Sequence, residues 1–387
     1  MLILDIYVTR WLSNLSFSTH ITKTRLSAIV FYITGHGFGH AVRSCQVIRA
    51  LKKAAPESQI HVRTTAPEWL FQHASAEISY CKTKIDIGIV QKDSLDMDLS
   101  ETLRSWRNLQ TQASSLIQSE LDYLRQHGIT VIVSDIPPLA FEIAAEASIP
   151  SVAIANFTWN WIYRAYLEEY PAFLPLIEEI ESFYRKATLA LTLPYSCDLD
   201  IFPYKEAIPW ITRNSSLSKA EARAKFALPQ SATIVLLSFG GLGLERLPWK
   251  KIEELRDYYF VGTGKTPQRW GNLTVLPEMQ REYCDLVRAA DMMIAKPGYG
   301  IVADIIAHQT PVLYAERNDF PEYHFLAHAL NDLTTAEFLP LKDLLSGNLG
   351  PHLMRLLTRD RNWPAVPLNG AEIAAKKISA LAGEGLS

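Results

Sequence analysis

The fold of this chain is decided by a stretch that reads AIVFYITGHGFGHA, residues 28–41. Its first six residues are apolar, as in a buried strand, and three glycines follow within the next six positions. A strand that runs into a glycine turn and then a helix brings bare backbone N–H groups to the carboxyl edge of a sheet. The turn also places His40 at that edge. The stretch therefore predicts a site where a polar or anionic ligand meets a base.

Short apolar strands alternate with amphipathic helices along the rest of the chain, which is typical of parallel α/β sheets. Strands are predicted near 28–34, 59–65, 78–83, 129–135, 150–156, 188–193, 232–239, 258–263, 273–276, 291–296 and 311–315. Helices are predicted near 39–54, 67–74, 100–126, 138–147, 158–185, 218–226, 248–256, 282–289, 299–308, 321–331 and 371–381. Pro171 and Pro175 should break the helix over 158–185, because proline removes a helical hydrogen bond and clashes with the preceding turn.

An irregular stretch over 194–216 is the predicted linker between two doubly wound halves. We expect one domain over 27–205 and a second over 206–387, with the last helix free to return to the first. Both sheets should turn their carboxyl ends toward the cleft between them. Residues 1–26 are interpreted as an appendage, which leaves peripheral membrane contact open.

Composition indicates a globular protein and excludes some partners. The chain has 387 residues, 48% of them hydrophobic, and a formal charge of −3, so nothing draws it to nucleic acid as a whole. Its four cysteines lie far apart and favour a reducing, cytoplasmic setting over disulfides or a zinc site. The apolar runs have the length of strands and not of membrane helices. The oligomeric state is not indicated.

His40 and Asp135 form the first candidate pair. Asp135 follows the apolar run 129–134, so it also lies at the carboxyl edge of the first sheet. A carboxylate beside an imidazole fixes the tautomer and stabilises the imidazolium, as a general base acting on a hydroxyl requires. The alternative is structural: Asp135 caps the next helix and His40 packs under a loop.

A second glycine turn reads KPGYGIVAD at residues 296–304 and opens a helix after a strand. Gly298 and Gly300 would let phosphate oxygens reach the helix N-terminus. Asp304 lies one turn after Gly300 and has the depth to take both hydroxyls of a ribose. A glycine turn followed by a solvated aspartate explains the pattern equally well.

Three further segments lie at predicted strand ends. Ser238 precedes Gly240 and Gly241, and this segment could give a second diphosphate contact. The segment 317–322 offers polar side chains that could bind sugar hydroxyls or could simply cap the start of a helix. The aromatic run after Asn156 can line an acceptor pocket or belong to the core. The acceptor side of the cleft is predicted to comprise Gly35, His36, Gly37, Gly39, Asn156 and Trp159.

Two glycine patterns are set aside. The segment Gly264-Lys265-Thr266 looks like the end of a phosphate-binding P-loop, but Tyr259 occupies the position of the required first glycine. The glycines of the first turn have the spacing G-x-G-x-G and not the G-x-G-x-x-G of nicotinamide sites. Nucleotide hydrolysis and hydride transfer are therefore disfavoured.

Taken together, these loops resemble the GT-B glycosyltransferases, and most closely the glycosyltransferase-like N-terminal part of plant L-arabinokinases. The resembling pieces are residues 32–41, 133–135, 156–159, 296–300 and 317–326, within a region of about 28 to 335. The chain is also similar to plant-type UDP-sugar glycosyltransferases and to the N-acetylglucosaminyltransferase of peptidoglycan synthesis. The resemblance implies two Rossmann-like domains, with the acceptor on the N-terminal domain (27–205) and the nucleotide-sugar on the C-terminal domain (206–387).

The resemblance also implies roles for individual residues. His40 matches the general base of the plant-type enzymes, and Asp135 matches its supporting aspartate. Asp304 matches the carboxylate that takes the ribose, and Glu322 stands where the superfamily has a glutamine. Lys296 and Pro297 replace the usual His-Gly-Gly form. The residues so expected to bind the donor are Ser238, Gly240, Gly241, Lys296, Gly298, Tyr299, Gly300, Asp304, Asp319 and Glu322.

The sequence thus predicts a glycosyltransferase of the hexosyltransferase type. It would move a sugar from a nucleotide-sugar, a UDP-sugar in the resembling families, to a hydroxyl of a small molecule, glycan or lipid, inverting and without a metal or other cofactor. A nucleotide-sugar 2-epimerase and a non-catalytic nucleotide-sugar-binding protein remain alternatives. No glycine–serine-rich phosphate loop of the arabinokinase kinase half occurs in the sequence, so sugar kinase activity is not expected.

Overall fold

The computed structural model describes residues 27–72, 74, 77–90, 97–239, 247–277, 282–315 and 320–383. The described residues form two seven-stranded sheets. The first sheet is parallel throughout, and the second is parallel except for one antiparallel edge strand. The first sheet defines the N-terminal half and the second the C-terminal half. Helices connect most of the successive parallel strands in both halves, which confirms the predicted α/β architecture of two doubly wound, Rossmann-like sheets.

The first sheet has the strand order β3-β2-β1-β4-β5-β6-β7. Its strands are β1 (Ala28–Ile33), β2 (Gln59–Thr64), β3 (Ile78–Lys82), β4 (Ile129–Asp135), β5 (Ser151–Ala155), β6 (Leu189–Thr192) and β7 (Lys205–Ala207). Its helices are α1 (Gly39–Ala54), α2 (Leu99–His127), α3 (Leu139–Ala147), α4 (Trp159–Arg164) and α5 (Leu174–Tyr184). Chain order reverses between β1 and β4, and ligands bind at this kind of switch point in open α/β sheets.

The second sheet has the order β10-β11-β9-β8-β12-β13-β14. Its strands are β8 (Thr233–Ser238), β9 (Tyr258–Gly264), β10 (Gln268–Trp270), β11 (Leu273–Pro277), β12 (Met292–Ala295), β13 (Val312–Ala315) and β14 (Ala336–Leu339). Its helices are α6 (Lys219–Lys225), α7 (Trp249–Glu253), α8 (Tyr283–Ala289), α9 (Tyr299–His308), α10 (Glu322–Leu333), α11 (Leu341–Ser346) and α12 (Gly350–Thr358). The last helix is α13 (Gly370–Leu381). Here the chain order reverses between β8 and β12.

β1 is apolar throughout because both of its faces are covered. Phe31 and Ile33 lie in the core cluster that includes the apolar side of α1, while Val30 and Tyr32 lie in the cluster beneath α2 and α3. All six residues of the strand are at most 3% exposed. Burying an aliphatic side chain of this size contributes about 1.5–3 kcal/mol, so the stretch anchors the N-terminal half before it presents the turn.

The two halves meet at the start of α1 and the start of α9. A Cβ atom on Gly300 would lie 3.9 Å from the Cα atom of Gly39, so the two helix N-termini are in direct contact range. α13 packs against α1 after the chain has passed through the C-terminal half. At the start of α13, a side chain on Gly370 would lie 2.1 Å from the Pro209 carbonyl oxygen, so only glycine permits this approach.

Local structure departs from the sequence prediction in a few places. The helix expected near 67–74 is a single 3-10 turn over Glu68–Leu70. The break in 158–185 occurs as expected, with a 3-10 turn over Pro171–Phe173 between α4 and α5. β7, β10 and β14 were not predicted, because three or four residues at a sheet edge carry too short a pattern to recognise.

Candidate active site

The turn after β1 positions His40 as the second residue of α1. Gly37 has φ +72°, a left-handed conformation that favours glycine, so the chain can reverse sharply before the helix begins. The His40 side chain is 8% exposed, and its ring packs edge-on against Phe157 with centroids 5.5 Å apart. Packing and the helix therefore hold the imidazole at the contact between the halves.

Asp135 meets His40 because β4 lies beside β1. Ile33 and Asp135 are register partners, and the Thr34 N–H donates to the Asp135 carbonyl over 2.9 Å. The His40 Nδ1 lies 2.8 Å from Asp135 Oδ1. An ionised carboxylate only accepts, so this hydrogen bond requires the proton on Nδ1 and leaves Nε2 to act as the base. Among the residues that the structure describes, no hydrogen-bond partner of Nε2 is found.

Asp135 is ionised at neutral pH. Burial by itself would raise the pKa of this carboxyl group, but the charges and hydrogen bonds of Arg43 and His40 lower the pKa to about 2. A buried, ionised carboxylate next to an imidazole stabilises the imidazolium that forms when a proton is taken up. The pair has the chemistry of an oriented general base.

Arg43 contacts the His40–Asp135 pair, and the sequence analysis did not identify it. Its Nε donates to Asp135 Oδ2 over 2.8 Å, and its Nη1 donates to Asn156 Oδ1 over 2.6 Å. Ser44 Oγ donates to Asp135 Oδ2 over 2.9 Å. Arg43 lies one helical turn after His40, which places both side chains on the same face of α1. That spacing is the signal that would have found it.

Asp86 is a second acidic group that the sequence analysis missed. It follows β3, is 6% exposed, and accepts a hydrogen bond from the Trp159 Nε1 over 3.0 Å. Burial raises the pKa of Asp86 to about 6, against the opposing hydrogen bonds from Thr34 and Trp159 and the opposing charge of His40. The site therefore contains a carboxyl group that is ionised at neutral pH, that of Asp135, and another whose pKa is about 6, that of Asp86.

Replacing Asp86 by asparagine should make stability less dependent on pH. A carboxyl group whose pKa is raised on folding favours the folded state at low pH, and this advantage is lost as the pH rises toward the folded pKa of about 6. From pH 4 to pH 7.5, the unfolding free energy of D86N should rise relative to that of the natural protein by about 2 kcal/mol. Urea unfolding at both pH values measures this difference.

The matched control is Asp122→Asn in α2, where the natural side chain is 64% exposed. The difference in unfolding free energy between D122N and the natural protein should stay nearly constant over the same pH range. An equally constant difference for D86N would show that Asp86 is ionised in the folded state throughout.

The carboxyl edge of the second sheet brings together the ends of β8 and β12. The Lys296 N–H donates to the Ser238 carbonyl over 3.1 Å, and Ser238 Oγ is hydrogen-bonded to the Tyr283 hydroxyl. α9 begins immediately afterwards, with Gly298 as its N-cap residue. Among the described residues beyond its chain neighbours, no atom lies within 4 Å of a Cβ built on Gly298, so there is room beside the backbone at the start of α9. Tyr299 is buried, and its ring lies 5.3 Å from the Arg43 guanidinium carbon.

Asp304 lies one turn into α9 and is paired with Arg213 from the connection between the halves. The Arg213 Nε donates to Asp304 Oδ1 over 3.1 Å, and Nη2 contacts Oδ2. Asp304 is 1% exposed. Arg213 also lies over the Tyr283 ring, 5.1 Å from its centroid. A ribose reaches this carboxylate only if Arg213 shares or yields its hydrogen bonds. No local sequence pattern indicates Arg213.

Glu322 begins α10 and reaches the N-terminal half. Its Oε1 accepts a hydrogen bond from Asn156 Nδ2 over 2.8 Å, and both residues are buried. The predicted donor residues Gly240, Gly241 and Asp319 lie outside the residues that the structure describes. The structure thus brings His40, Asp135 and Asn156 together with Tyr299 and Glu322.

The predicted acceptor residues occupy the other side of the first turn. The His36 ring packs edge-on against Trp159 at 5.2 Å and stacks on Phe320 of the C-terminal half at 5.8 Å. Trp159 is fully buried, so its indole supports His36 and does not face a free pocket in this conformation. A side chain on Gly35 would overlap the Thr65 hydroxyl, which explains glycine there. Gly39 has open space around it.

Neither a clustered metal site nor a helix fit to cross a bilayer occurs among the residues that the structure describes. No cluster of three or more His, Cys, Asp or Glu side chains is arranged as a metal site in that part of the chain. Within the same residues, none of the helices combines the length and apolar character needed to cross a bilayer.

Comparison with known structures defines the class of the fold. CalG4, the calicheamicin glycosyltransferase, superposes with a TM-score of 0.59 at 13% identity, over 92% of this chain and 94% of its own. MurG of Acinetobacter baumannii superposes with a TM-score of 0.54 at 14% identity, over 92% of this chain and 99% of its own. UGT71G1 of Medicago truncatula, complexed with UDP-glucose, superposes with a TM-score of 0.54 at 12% identity, over 92% of this chain and 95% of its own. The chain has the GT-B glycosyltransferase fold, as predicted.

Comparison with curated sequences identifies a particular relative. L-arabinokinase of Arabidopsis thaliana is 28% identical over 353 residues, which make up 89% of this chain and 33% of that protein. The chain is a distant homologue of L-arabinokinase and spans about a third of its length. The predicted resemblance is thereby confirmed. No protein-family model matches the chain.

Proposed function

We propose that this chain is a glycosyltransferase that moves a sugar from a UDP-sugar to a hydroxyl acceptor with inversion at the anomeric carbon. The observation that carries the proposal is the His40–Asp135 hydrogen bond of 2.8 Å at the contact between two Rossmann-like halves. The fold supports the reaction class only by analogy, because many chemistries share one fold. The base pair supports it through chemistry.

In the proposed reaction, Nε2 of His40 takes the proton from the acceptor hydroxyl. The acceptor oxygen then bonds to the anomeric carbon from the face opposite the diphosphate. The bond from that carbon to the diphosphate oxygen breaks, and the nucleoside diphosphate leaves with its electron pair. Asp135, ionised because its pKa is about 2, stabilises the imidazolium that results.

The leaving diphosphate needs positive charge close by. The N-termini of α1 and α9 converge at Gly39 and Gly300, and each helix carries a partial positive charge at that end. The described residues leave room beside Gly298, where the backbone N–H groups of the first turn of α9 have no partner within the helix. Such groups stabilise developing anionic charge without reorganisation. We therefore propose that these helix ends, and not a metal ion, neutralise the departing group.

The choice of a UDP-sugar has separate support. UGT71G1, which shares the fold, is complexed with UDP-glucose. In this chain Asp304 stands where a ribose carboxylate is expected, although Arg213 pairs with it. Donor identity is tested by thermal unfolding with UDP, TDP, GDP and their sugars, since a bound ligand stabilises by mass action. At a concentration of 100 times its Kd, the true donor should raise the free energy of unfolding by about 2.7 kcal/mol, whereas the other nucleotides and nucleotide-sugars should raise it little.

Product analysis then separates the candidate functions. Incubation with the stabilising donor and a panel of hydroxyl acceptors should give nucleoside diphosphate in equal amount with glycoside. Epimerised donor, or free nucleotide without glycoside when donor is incubated alone, would favour the 2-epimerase alternative. Stabilisation by a donor with no product under any condition would indicate a binding protein.

Gly298→Ala should remove donor binding without disturbing the fold. In the part of the chain that the structure describes, a methyl group at Gly298 would meet no atom within 4 Å beyond its chain neighbours, and φ −142° suits any residue, but it would occupy the space that a phosphate oxygen needs. We expect the unfolding temperature without ligand to change little, because an N-cap Gly→Ala change costs at most about 1 kcal/mol. The donor-induced shift should disappear at ligand concentrations that saturate the natural protein. An unchanged shift would place the diphosphate elsewhere.

A further inference from the structure

A continuous line of buried polar contacts joins the base pair to the opposite half of the molecule. Asp135 binds Arg43, Arg43 binds Asn156, and Asn156 binds Glu322 of α10. Arg43 is 2% exposed and Asn156 is 1% exposed, so solvent does not replace these contacts in this conformation. The line runs from β4 through α1 and the end of β5 to the C-terminal half.

Arg43 and Asn156, the two inner members of this line, make hydrogen bonds to the members on both sides of them. Arg43 uses Nε and Nη2 on the two oxygens of Asp135 and uses Nη1 on Asn156. Asn156 accepts through Oδ1 from Arg43 and donates through Nδ2 to Glu322. An amide used on both sides has only one orientation that satisfies both contacts. Moving the C-terminal half away would therefore break the Asn156–Glu322 bond and free one side of the amide.

We propose that Arg43 is a positioning residue that clamps Asp135 against His40 and, through Asn156 and Glu322, makes this arrangement depend on closure of the two halves. The inference rests on the proposed function, because it assigns Arg43 to the base that function requires. In the open state, Asn156 loses Glu322 and Arg43 is held less firmly. In the closed state, the guanidinium fork holds both carboxylate oxygens and His40 is oriented.

The charges around Arg43 define how this clamp should act on catalysis. Asp135 faces it from β4, Tyr299 from α9 and Glu322 from α10, and Asp86 adds a carboxyl group on the side of His40. Arg43 is the cation of this cluster, and its Nη2 lies 3.0 Å from His40 Nδ1. A cation this close opposes protonation of an imidazole. Removing its charge should therefore extend protonation of the base to higher pH.

The test compares Arg43→Lys, Arg43→Gln and Asn156→Ala with a control, Arg63→Lys. Arg63 forms a buried pair with Glu120 on the α2 side of the first sheet, so R63K removes a similar contact away from the site. We expect R43K and N156A to lower kcat by about 10- to 100-fold while the donor KM changes by less than about 3-fold. The control should keep its kcat. In R43Q, the acidic limb of kcat/KM should move to higher pH by about one unit.

A second measurement does not depend on turnover. The ¹⁵N NMR signals of the His40 imidazole, assigned by their loss in H40A, should show a defined Nδ1–H tautomer in the natural protein and in R63K. In R43K and N156A they should show a mixture of tautomers. Because the spectra can be taken at low temperature, this measurement also applies to a variant that is too unstable for kinetic assays at higher temperature.

Two results would overturn the clamp. One is that R43K and N156A lose no more kcat than R63K and keep the same tautomer, which would make Arg43 a structural residue only. The other is that the acidic limb of R43Q stays in place. Failure of the proposed function looks different: the natural protein would show no transfer, or H40A would retain it, whatever the Arg43 variants do.

Discussion

His40→Ala is expected to lower kcat for sugar transfer by about 100-fold or more. A positioned general base contributes about 10²- to 10⁴-fold, and alanine leaves no group to take the acceptor proton. The donor-induced rise in unfolding temperature should persist, because the donor is proposed to lie on the C-terminal half. Steady-state kinetics and thermal unfolding of the same preparation measure both effects.

The control for this change is His127→Ala. His127 is the last residue of α2, just before β4 begins, and so lies at the amino edge of the first sheet. Its loss should leave kcat within about 3-fold of the natural value, since surface changes away from special features have small effects. If H40A kept full turnover while still binding donor, the base would be another group, and Asp86 would become the first candidate.

Asp135→Asn is expected to have the largest effect on stability as well as a large effect on rate. The side chain keeps its shape, but Arg43 is then buried without its counter-charge, and breaking a buried pair in this way costs about 3–5 kcal/mol. The amide can also hold His40 in the wrong tautomer, which is why kcat should fall by at least about 100-fold. Urea unfolding at pH 7 and steady-state kinetics measure the two losses.

The pH dependence of this loss follows from the lowered pKa of Asp135. A carboxyl group with a folded pKa of about 2 contributes its stability above the ordinary pKa near 3.9 and loses it as the pH falls toward 2. The difference between D135N and the natural protein should therefore shrink by about 2–3 kcal/mol between pH 5 and pH 2. Ser44→Ala, which removes one neutral donor to the same carboxylate, should cost only about 1 kcal/mol at every pH. A difference for D135N that does not vary with pH would show that Asp135 is not held ionised by Arg43.

Local patterns were sufficient for most of the regular structure. The run of apolar residues in β1 and the three glycines after it place a strand, a turn and a helix start, and α1 begins at Gly39, where the prediction put it. The same reasoning held for β4, β8 and α9, because each is long enough to show its period. It did not hold for β14, whose four residues include the exposed Phe338, or for the 3-10 turn at Glu68–Leu70.

Part of the candidate site was also accessible from local patterns. His40 and Asp135 each follow a strand, and parallel strands end at the same edge of a sheet, so their proximity was predictable without coordinates. Arg43 was within reach by its spacing from His40. The sequence alone did not indicate that Arg43 would take both oxygens of Asp135, because that depends on the exact separation of α1 and β4.

By itself, then, the chain's sequence determined which residues form strands, turns and helices and which polar groups stand at strand ends, because these depend on neighbours within a few positions. Only the tertiary structure decided that Arg213 pairs with Asp304, that Asp86 is buried against Trp159, and that Asn156 bridges Arg43 to Glu322. These partners are 73 to 166 residues apart along the chain. Their contacts arise from how elements distant along the chain pack, within the N-terminal half for Asp86 and Trp159 and between the halves for Asn156 and Glu322, and no pattern of nearby residues encodes that packing.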